Sequence, residues 1–358
     1  MPFPRPLTFA AASLAFLAAC TPAAPPVEEE RLSGQGDTLA TDLTEAAAAT
    51  WLGGDRWAVV SPSDQRVAIL DFAAHTVSTL GAEIKDAYRG PFGLFVVRDT
   101  LYVVDWAFRQ VTAWTTGGAF IRAIPGPEST RGALPAARDG AGNWYVEQHP
   151  LPGSDGSGNK DSAAVLRLPA DMSRVDTILR LTPLDLAEVV GDAGRRFERR
   201  VFSGEDEWGV LEDGSVWVAR FYPNRVDWLG PDGTRTRGQP LPDKALTIGP
   251  ADREEFLLRF PTELRSAAEK LPFSPVKPPF EAGFTGGDSQ VWLQKTRVIP
   301  DSVRRYQVVG RDGRLRRILT FVGYAKALAA SPDAMLVAEA VPGGWRFVRM
   351  LAAPKPAD

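Results

Sequence analysis

Few residues of this chain are suited to catalysis. The histidines are His75 and His149, and Cys20 is the one cysteine. A zinc site built from several histidines is thereby excluded, as is a cysteine nucleophile in a folded domain. Carboxylates remain. Glu205, Asp206 and Glu207 are consecutive, and Glu281 stands in Phe280-Glu281-Ala282-Gly283. If the fold brought them to one point, their oxygens could hold calcium; as a solvated acidic loop they would do nothing of the kind. Arg89 and Lys326 carry the opposite sign, and Trp106 and Trp208 are the tryptophans best placed to face a ligand. The stretch Gly153-Ser154-Asp155-Gly156-Ser157-Gly158-Asn159-Lys160 is glycine-rich. It lacks the lysine placement and following helix of a phosphate-binding loop, so it reads as a hairpin tip.

The elements that must position these residues recur along the chain. Apolar β-type runs begin at Trp57, Leu101, Trp144, Val216, Val291 and Met335, at intervals of 44, 43, 72, 75 and 44 residues. A unit of about 43 residues is the size of a four-stranded propeller blade. A tight turn precedes each run, among them Gly53-Gly54-Asp55-Arg56 and Glu212-Asp213-Gly214-Ser215, and a second alternating run follows, such as Arg66 to Leu70 and Arg225 to Leu229. Glycine-rich hairpins come next, as at Thr116-Gly117-Gly118 and Arg311-Asp312-Gly313, where glycine supplies positive φ. Of the ten tryptophans, Trp57, Trp144, Trp217 and Trp292 hold equivalent places and are expected to pack between blades.

Within this register, Arg89, Glu205, Glu207, Glu281 and Lys326 all stand just before inner strands. They should form a mixed-charge ring at the mouth of a central channel, suited to an anionic or zwitterionic ligand or a peptide.

The pattern resembles the six-bladed β-propellers of the NHL-like type. It is best at Gly90-Pro91-Phe92-Gly93-Leu94, Leu101-Tyr102-Val103-Val104-Asp105 and Arg109-Gln110-Val111, and it extends over residues 40 to 352. That resemblance implies an all-β, six-bladed propeller, a fold shared by lyases, esterases, sensors and pure binding modules. Propeller lactonases gather Glu, Asp and Asn around the channel, which keeps a calcium-assisted hydrolase open; zinc lyases rich in histidine are poor models. The last blade ends one strand short, so a segment near Gly36 to Asp42 is predicted to supply that strand and close the ring.

Two intervals are long and mark insertions, at about 170–204 and 231–279. In the first, Thr182 to Val190 reads as a short helix followed by a charged loop through Arg200. In the second, Pro250 with acidic residues in its first turn starts a helix that Pro261 breaks. Apolar residues at 264, 267, 268 and 271 then predict a lid helix. The proline-rich return Leu271 to Phe280 would bring Phe273 and Phe280 to the channel mouth. Long insertions often shape binding sites.

The N-terminus is of a different kind. Arg5 precedes the apolar run Leu7 to Ala19 and then Cys20. About a dozen apolar residues span roughly 18 Å as a helix, short of the ~30 Å of bilayer hydrocarbon, so the run is an export signal and not a membrane span. Leu17-Ala18-Ala19-Cys20 resembles the lipobox of bacterial lipoproteins, which implies cleavage before Cys20 and lipid on that cysteine. With no second cysteine, Cys20 has no disulfide partner within the chain. Thr21 at the next position resembles lipoproteins sent to the outer membrane.

The expected organisation is a signal peptide at 1–19, a lipidated Cys20 with a Pro/Ala/Glu tether to 35, the propeller at 36–352 and a tail at 353–358. Removing residues 1–19 leaves 40 basic against 44 acidic residues, with no basic excess for nucleic acid. The partners expected are a membrane, through the lipid, and an envelope protein, peptide or small ligand. No cofactor is expected beyond the calcium alternative. The function read from the sequence is a ligand- or protein-binding module of the cell envelope, with a hydrolase and an assembly scaffold as alternatives.

Overall fold

The computed structural model describes residues 27, 29–33, 37–149, 162–191, 194–286, 289–299, 301–323 and 325–352. The segment read as an export signal, Cys20, the stretch 153–160 and the tail 353–358 lie outside them. Among the described residues no helix is long and apolar enough to cross a membrane.

The protein is all-β with a propeller-like arrangement and two short helices. Strands β1 (Glu29–Ser33) and β2 (Thr38–Thr41) come first. A four-stranded sheet follows, of β3 (Ala48–Gly53), β4 (Arg56–Ser61), β5 (Arg66–Asp71) and β6 (Thr76–Thr79). The second sheet is β7 (Pro91–Val97), β8 (Thr100–Asp105), β9 (Gln110–Thr115) and β10 (Phe120–Pro125). The third is β11 (Pro135–Arg138), β12 (Trp144–Gln148), β13 (Ala164–Leu168) and β14 (Asp176–Arg180). After a hairpin of β15 (Leu186–Gly191) and β16 (Gly194–Arg199), the fourth sheet is β17 (Glu207–Val210), β18 (Val216–Phe221), β19 (Asn224–Leu229) and β20 (Arg235–Thr236).

The second insertion carries β21 (Leu246–Thr247), α1 (Pro250–Leu257), α2 (Thr262–Ala268) and β22 (Val276–Lys277). Then come β23 (Phe280–Thr285), β24 (Val291–Lys295), β25 (Val303–Val309), β26 (Leu315–Val322), β27 (Lys326–Ala330), β28 (Ala334–Val341) and β29 (Gly344–Ala352). These last strands belong to one nine-stranded sheet, β23-β24-β25-β26-β1-β29-β28-β27 with β2 also on β29.

That sheet departs from a set of separate blades, and β1 is the reason. It pairs in parallel with β26 through Glu29 to Arg31 and antiparallel with β29 through Leu32 and Ser33. It lies within the stretch read as tether, yet its Leu32 is buried. The expected closing strand is found at β2, whose Thr38 to Thr41 pair with Val348 to Trp345.

Burial follows strand position. The middle strands β4, β5, β8 and β9 are almost wholly buried, whereas the outer β6 and β10 are exposed, because the core lies between successive sheets. Leu80, Leu101 and Trp114 join the first sheet to the second, and Tyr102, Val104 and Trp144 the second to the third. Trp57, Leu336 and Phe347 join the last strands back to the first sheet. The equivalent tryptophans behave as expected: Trp57, Trp144, Trp217 and Trp292 are all buried, and Trp217 Nε1 donates to Thr285 Oγ1 on β23 at 2.9 Å.

Because strands alternate in direction within each sheet, turns between first and second and between third and fourth strands share one face, the turn face. Turns between second and third strands and the connectors to the next sheet share the other, which carries both insertions. Bonds between sheets respect this division. Gly140 N–H donates to Glu212 O on the turn face at 2.7 Å, and Lys326 Nζ donates to Ala47 O on the insertion face at 3.2 Å.

The first insertion corrects the expected helix. Leu186 to Gly191 and Gly194 to Arg199 form a β-hairpin. The β-branched pair Val189-Val190 favours extended chain, Gly194 takes φ +101°, and Arg195 Nε meets Glu188 Oε1 across the hairpin at 2.9 Å. In the second insertion α1 starts at Pro250, with the Asp252 carboxylate accepting from Gly249 N–H at 2.8 Å, and Pro261 separates α1 from α2. The one-faced packing predicted for α2 is incomplete: Ala268 is buried, but Leu264 is 52% exposed.

Candidate functional site

Both insertions lean over the starts of β17 and β23. Phe202 sits at the end of the hairpin connector, Phe256 on α1 and Phe273 on the return, and the three rings meet with centroids 5.4 to 6.0 Å apart. Arg253 lies over Phe273 at 4.2 Å. This aromatic plug ties helix, hairpin and return together, and beneath it lie two adjoining cavities.

The first, of about 300 Å³, is lined by Arg199, Glu205, Glu207, Arg259, Lys277, Phe280 and Glu281 among others. The second, of about 150 Å³, is lined by Asp252, Glu255, Glu281, Arg297, Arg304 and Lys326 among others. Phe202, Arg259, Lys277 and Glu281 line both, so the two make one cleft.

Most charges in the cleft are paired. Lys277, 6% exposed, forms an ion pair with Asp252, and Arg297 with Glu255. Arg199 Nη1 meets Glu205 Oε2 at 2.6 Å. Glu281 accepts from Gln294 Nε2 at 2.9 Å and from Arg297 N–H at 3.2 Å. Three groups stand apart among the described residues. Glu207 has no hydrogen-bond partner, Arg304 has no carboxylate partner and a buried unbonded Nε, and Lys326 donates only to the Ala47 carbonyl.

Glu207 keeps a water-accessible edge but lies deep among protein atoms. Burial, and then the like charges of Glu205 and Glu147, push its carboxyl up to about 8 against the weaker pull of Arg199. It is therefore protonated at neutral pH. Close strand approach makes room for this: a Cβ on Gly283 would come within 3.1 Å of Glu207 Cβ.

The structure thus brings Glu205, Glu207, Glu281 and Lys326 to one cleft. Trp208 turns aside, its Nε1 donating to Glu147 Oε2 at 2.6 Å, with His149 Nε2 3.4 Å from the other oxygen of that carboxylate. Arg89 and Trp106 are not among the cleft residues. Arg89 is exposed and Trp106 is 63% exposed, its ring lying over Gly90. Of the two phenylalanines expected at the channel mouth, Phe280 lines the cleft and Phe273 belongs to its aromatic cover. Sequence reasoning missed Arg199, Lys277, Arg297 and Arg304. Lys277 left a signal, as the one charge in the apolar return Leu271 to Phe280.

The fold is of the propeller type. A member of the DUF4221 family from Bacteroides vulgatus aligns over 90% of this chain and 98% of its own, with TM-score 0.51 and 10% identity. A Bacteroides fragilis protein aligns over 91% and 99%, with TM-score 0.50 and 8% identity. The calcium-binding protein regucalcin from Agrobacterium tumefaciens covers 91% and 96% at TM-score 0.46 and 8% identity. At such identities the likeness is one of fold alone. No family model and no curated protein matches the chain.

A calcium centre of the kind weighed from the sequence needs several oxygens converging on one point. Among the described residues no three His, Cys, Asp or Glu side chains are grouped in a way that could hold a metal ion. What the cleft offers is one protonated carboxyl in its acidic part and two cations without carboxylate partners in its other part.

Proposed function

We propose that this protein is a lipid-anchored, six-bladed propeller of the bacterial envelope that binds a zwitterionic small molecule or peptide end in the insertion-face cleft. The six-blade count rests on the first strands β3, β7, β11, β17, β23 and β27, each of which lies against the next, with β27 returning to β3. In this reading the nine-stranded sheet is two blades sewn together by β1. The anchor rests on the Leu17-Ala18-Ala19-Cys20 motif, and a Cys20→Ala variant is expected to leave the membrane fraction; retention there overturns it. Thr21 favours the outer membrane.

The observation that carries the ligand class is the distribution of ionisable groups without partners. Glu207 at one part of the cleft, and Arg304 and Lys326 at the other, lack ionic partners while their neighbours are paired. A ligand ammonium would meet Glu207 and drive off its proton, and a carboxylate or phosphate would meet the two cations, each contact being charge-assisted.

Titration calorimetry of the mature protein with free amino acids and dipeptides tests this. Binding at pH 7 should release a proton, seen as a heat that depends on the buffer. Glu207→Gln should abolish the proton release, and Lys326→Ala should weaken binding about tenfold or more, the order expected for a lost charged hydrogen bond. Binding that neither substitution alters, or no binding at millimolar concentration, overturns the assignment.

A further inference from the structure

A zwitterion can reach such a cleft from two sources: a phospholipid headgroup, or the surrounding water. The direction of β1 discriminates between them. β26 runs from the turn at Arg311 to Gly313 on the turn face up to Val322 and Gly323 on the insertion face. β1 lies parallel to it, Glu29 opposite Ile318 and Arg31 opposite Thr320. The chain therefore enters β1 from the turn-face side. It is held there by the Glu30 to Arg317 ion pair at 2.8 Å and by buried Leu32.

Eight residues, 21 to 28, separate Cys20 from Glu29, which allows a reach of about 30 Å at full extension. From Glu29 the direct path leads away from the insertions. For the cleft to meet the bilayer, the tether would have to reverse at Glu29 and pass the rest of β26 up to Val322. It would then have to clear α1 and α2. Those helices have no basic excess to draw them to an anionic surface. Between Pro250 and Ala268 the four acidic residues Asp252, Glu254, Glu255 and Glu263 offset the three arginines Arg253, Arg259 and Arg265.

We propose that the cleft faces away from the anchoring membrane and takes a water-soluble zwitterion, such as a free amino acid or peptide, and not a lipid headgroup. This rests on the reading of Cys20 as lipidated and of the cleft as a zwitterion site.

Because Cys20 is the only cysteine, and is consumed by lipid, one introduced cysteine can be labelled alone in the full-length lipoprotein. Ala74→Cys marks the turn face and Leu258→Cys the insertion face; both sites are exposed. On vesicles of phosphatidylethanolamine and phosphatidylglycerol carrying a headgroup acceptor dye, energy transfer from position 74 should exceed that from 258 several-fold. Stronger transfer from 258 overturns the orientation while leaving the anchor intact. Protein that stays in solution overturns the anchor and this proposal with it. In a second arm, vesicles of phosphatidylethanolamine should not displace the tightest-binding dipeptide, and displacement by them assigns the cleft to lipid.

Discussion

The two faces of the propeller use the same side chain, aspartate, in different ways. On the turn face aspartates bond backbone N–H groups within a few residues. Asp213 accepts from Ser215 N–H at 2.9 Å, Asp232 from Thr234 N–H at 2.9 Å and Asp312 from Arg314 N–H at 3.1 Å, each beside a glycine in the left-handed region. On the insertion face aspartates join segments distant in sequence. Asp105, fully buried, accepts from the backbone N–H groups of Arg89, Gly90, Ala107 and Phe108 at 2.8 to 3.1 Å. Asp206 accepts from Thr182 N–H and Oγ1 at 2.7 and 2.8 Å, from Phe221 N–H at 3.2 Å and from Arg220 Nη1 at 2.6 Å. Asp64 does the same for Thr44, at 2.8 Å. The turn-face aspartates cap backbone locally and reach other sheets through arginine side chains, Arg311 to Asp213 at 2.7 Å and Arg349 to Asp55, whereas the insertion face is stapled, connector to turn, through backbone donors on the buried carboxylates of Asp105 and Asp206.

The comparison breaks most visibly at Asp206. Asp206→Ala would leave a half-buried arginine, the Thr182 hydroxyl and two backbone donors without this acceptor, a loss of about 3 kcal/mol. Urea unfolding should show a lowered midpoint, together with protease cleavage of the hairpin connector between 182 and 206. Asp105→Ala strips four backbone donors and should lose on the order of 3 kcal/mol. If either variant unfolds like the parent, the staples are not what holds this face.

The next effect in size concerns Glu207. Its carboxyl titrates near 8 in the folded protein and in the ordinary range near 4.5 when unfolded. A raised carboxyl favours the folded state fully at acid pH, and that contribution is lost as pH rises between those values, with none lost beyond. The slope is bounded at about 1.4 kcal/mol per pH unit. Glu207→Gln should flatten the fall in stability between pH 5 and 8 and make the variant the more stable protein at pH 9, as thermal melts across that range would record. A slope unchanged by the substitution removes Glu207 from the account.

This difference between the faces also decides what could be read from the sequence. Turn caps sit beside their glycines, and the repeat of such turns with alternating apolar runs announced the strands, the equivalent tryptophans and the closing strand at Thr38 to Thr41. Long-range staples leave no local mark: nothing near Asp105 or Asp206 says that residues 14 to 24 positions away will bond to them. The insertions suffered for the same reason. Thr182 to Val190 has few residues that exclude a helix, and it is a hairpin because Arg195 and its neighbours pair across to it. Glu205, Glu207, Glu281 and Lys326 were found because they lie at or just before the starts of first strands. Arg199, Arg297 and Arg304 arrive from an insertion and from the loop and strand beyond β24, where no repeat points to them.

The smallest effect expected lies at an isolated cap. Asp232 is fully exposed, and its hold on Thr234 is lowered in importance by water, which can serve the same backbone group. Its carboxyl is held below the usual range by the Thr234 backbone and hydroxyl, but the hairpin is already set by Gly233 at φ +87°, a conformation that costs glycine little. Asp232→Ala should shift the melting temperature by less than about 2 °C, the scale of a surface change in a domain of this size. It should leave dipeptide binding at the opposite face unaltered. A large loss here would mean that the turn face is as cooperative as the stapled one, and the distinction between local caps and long-range staples would fall.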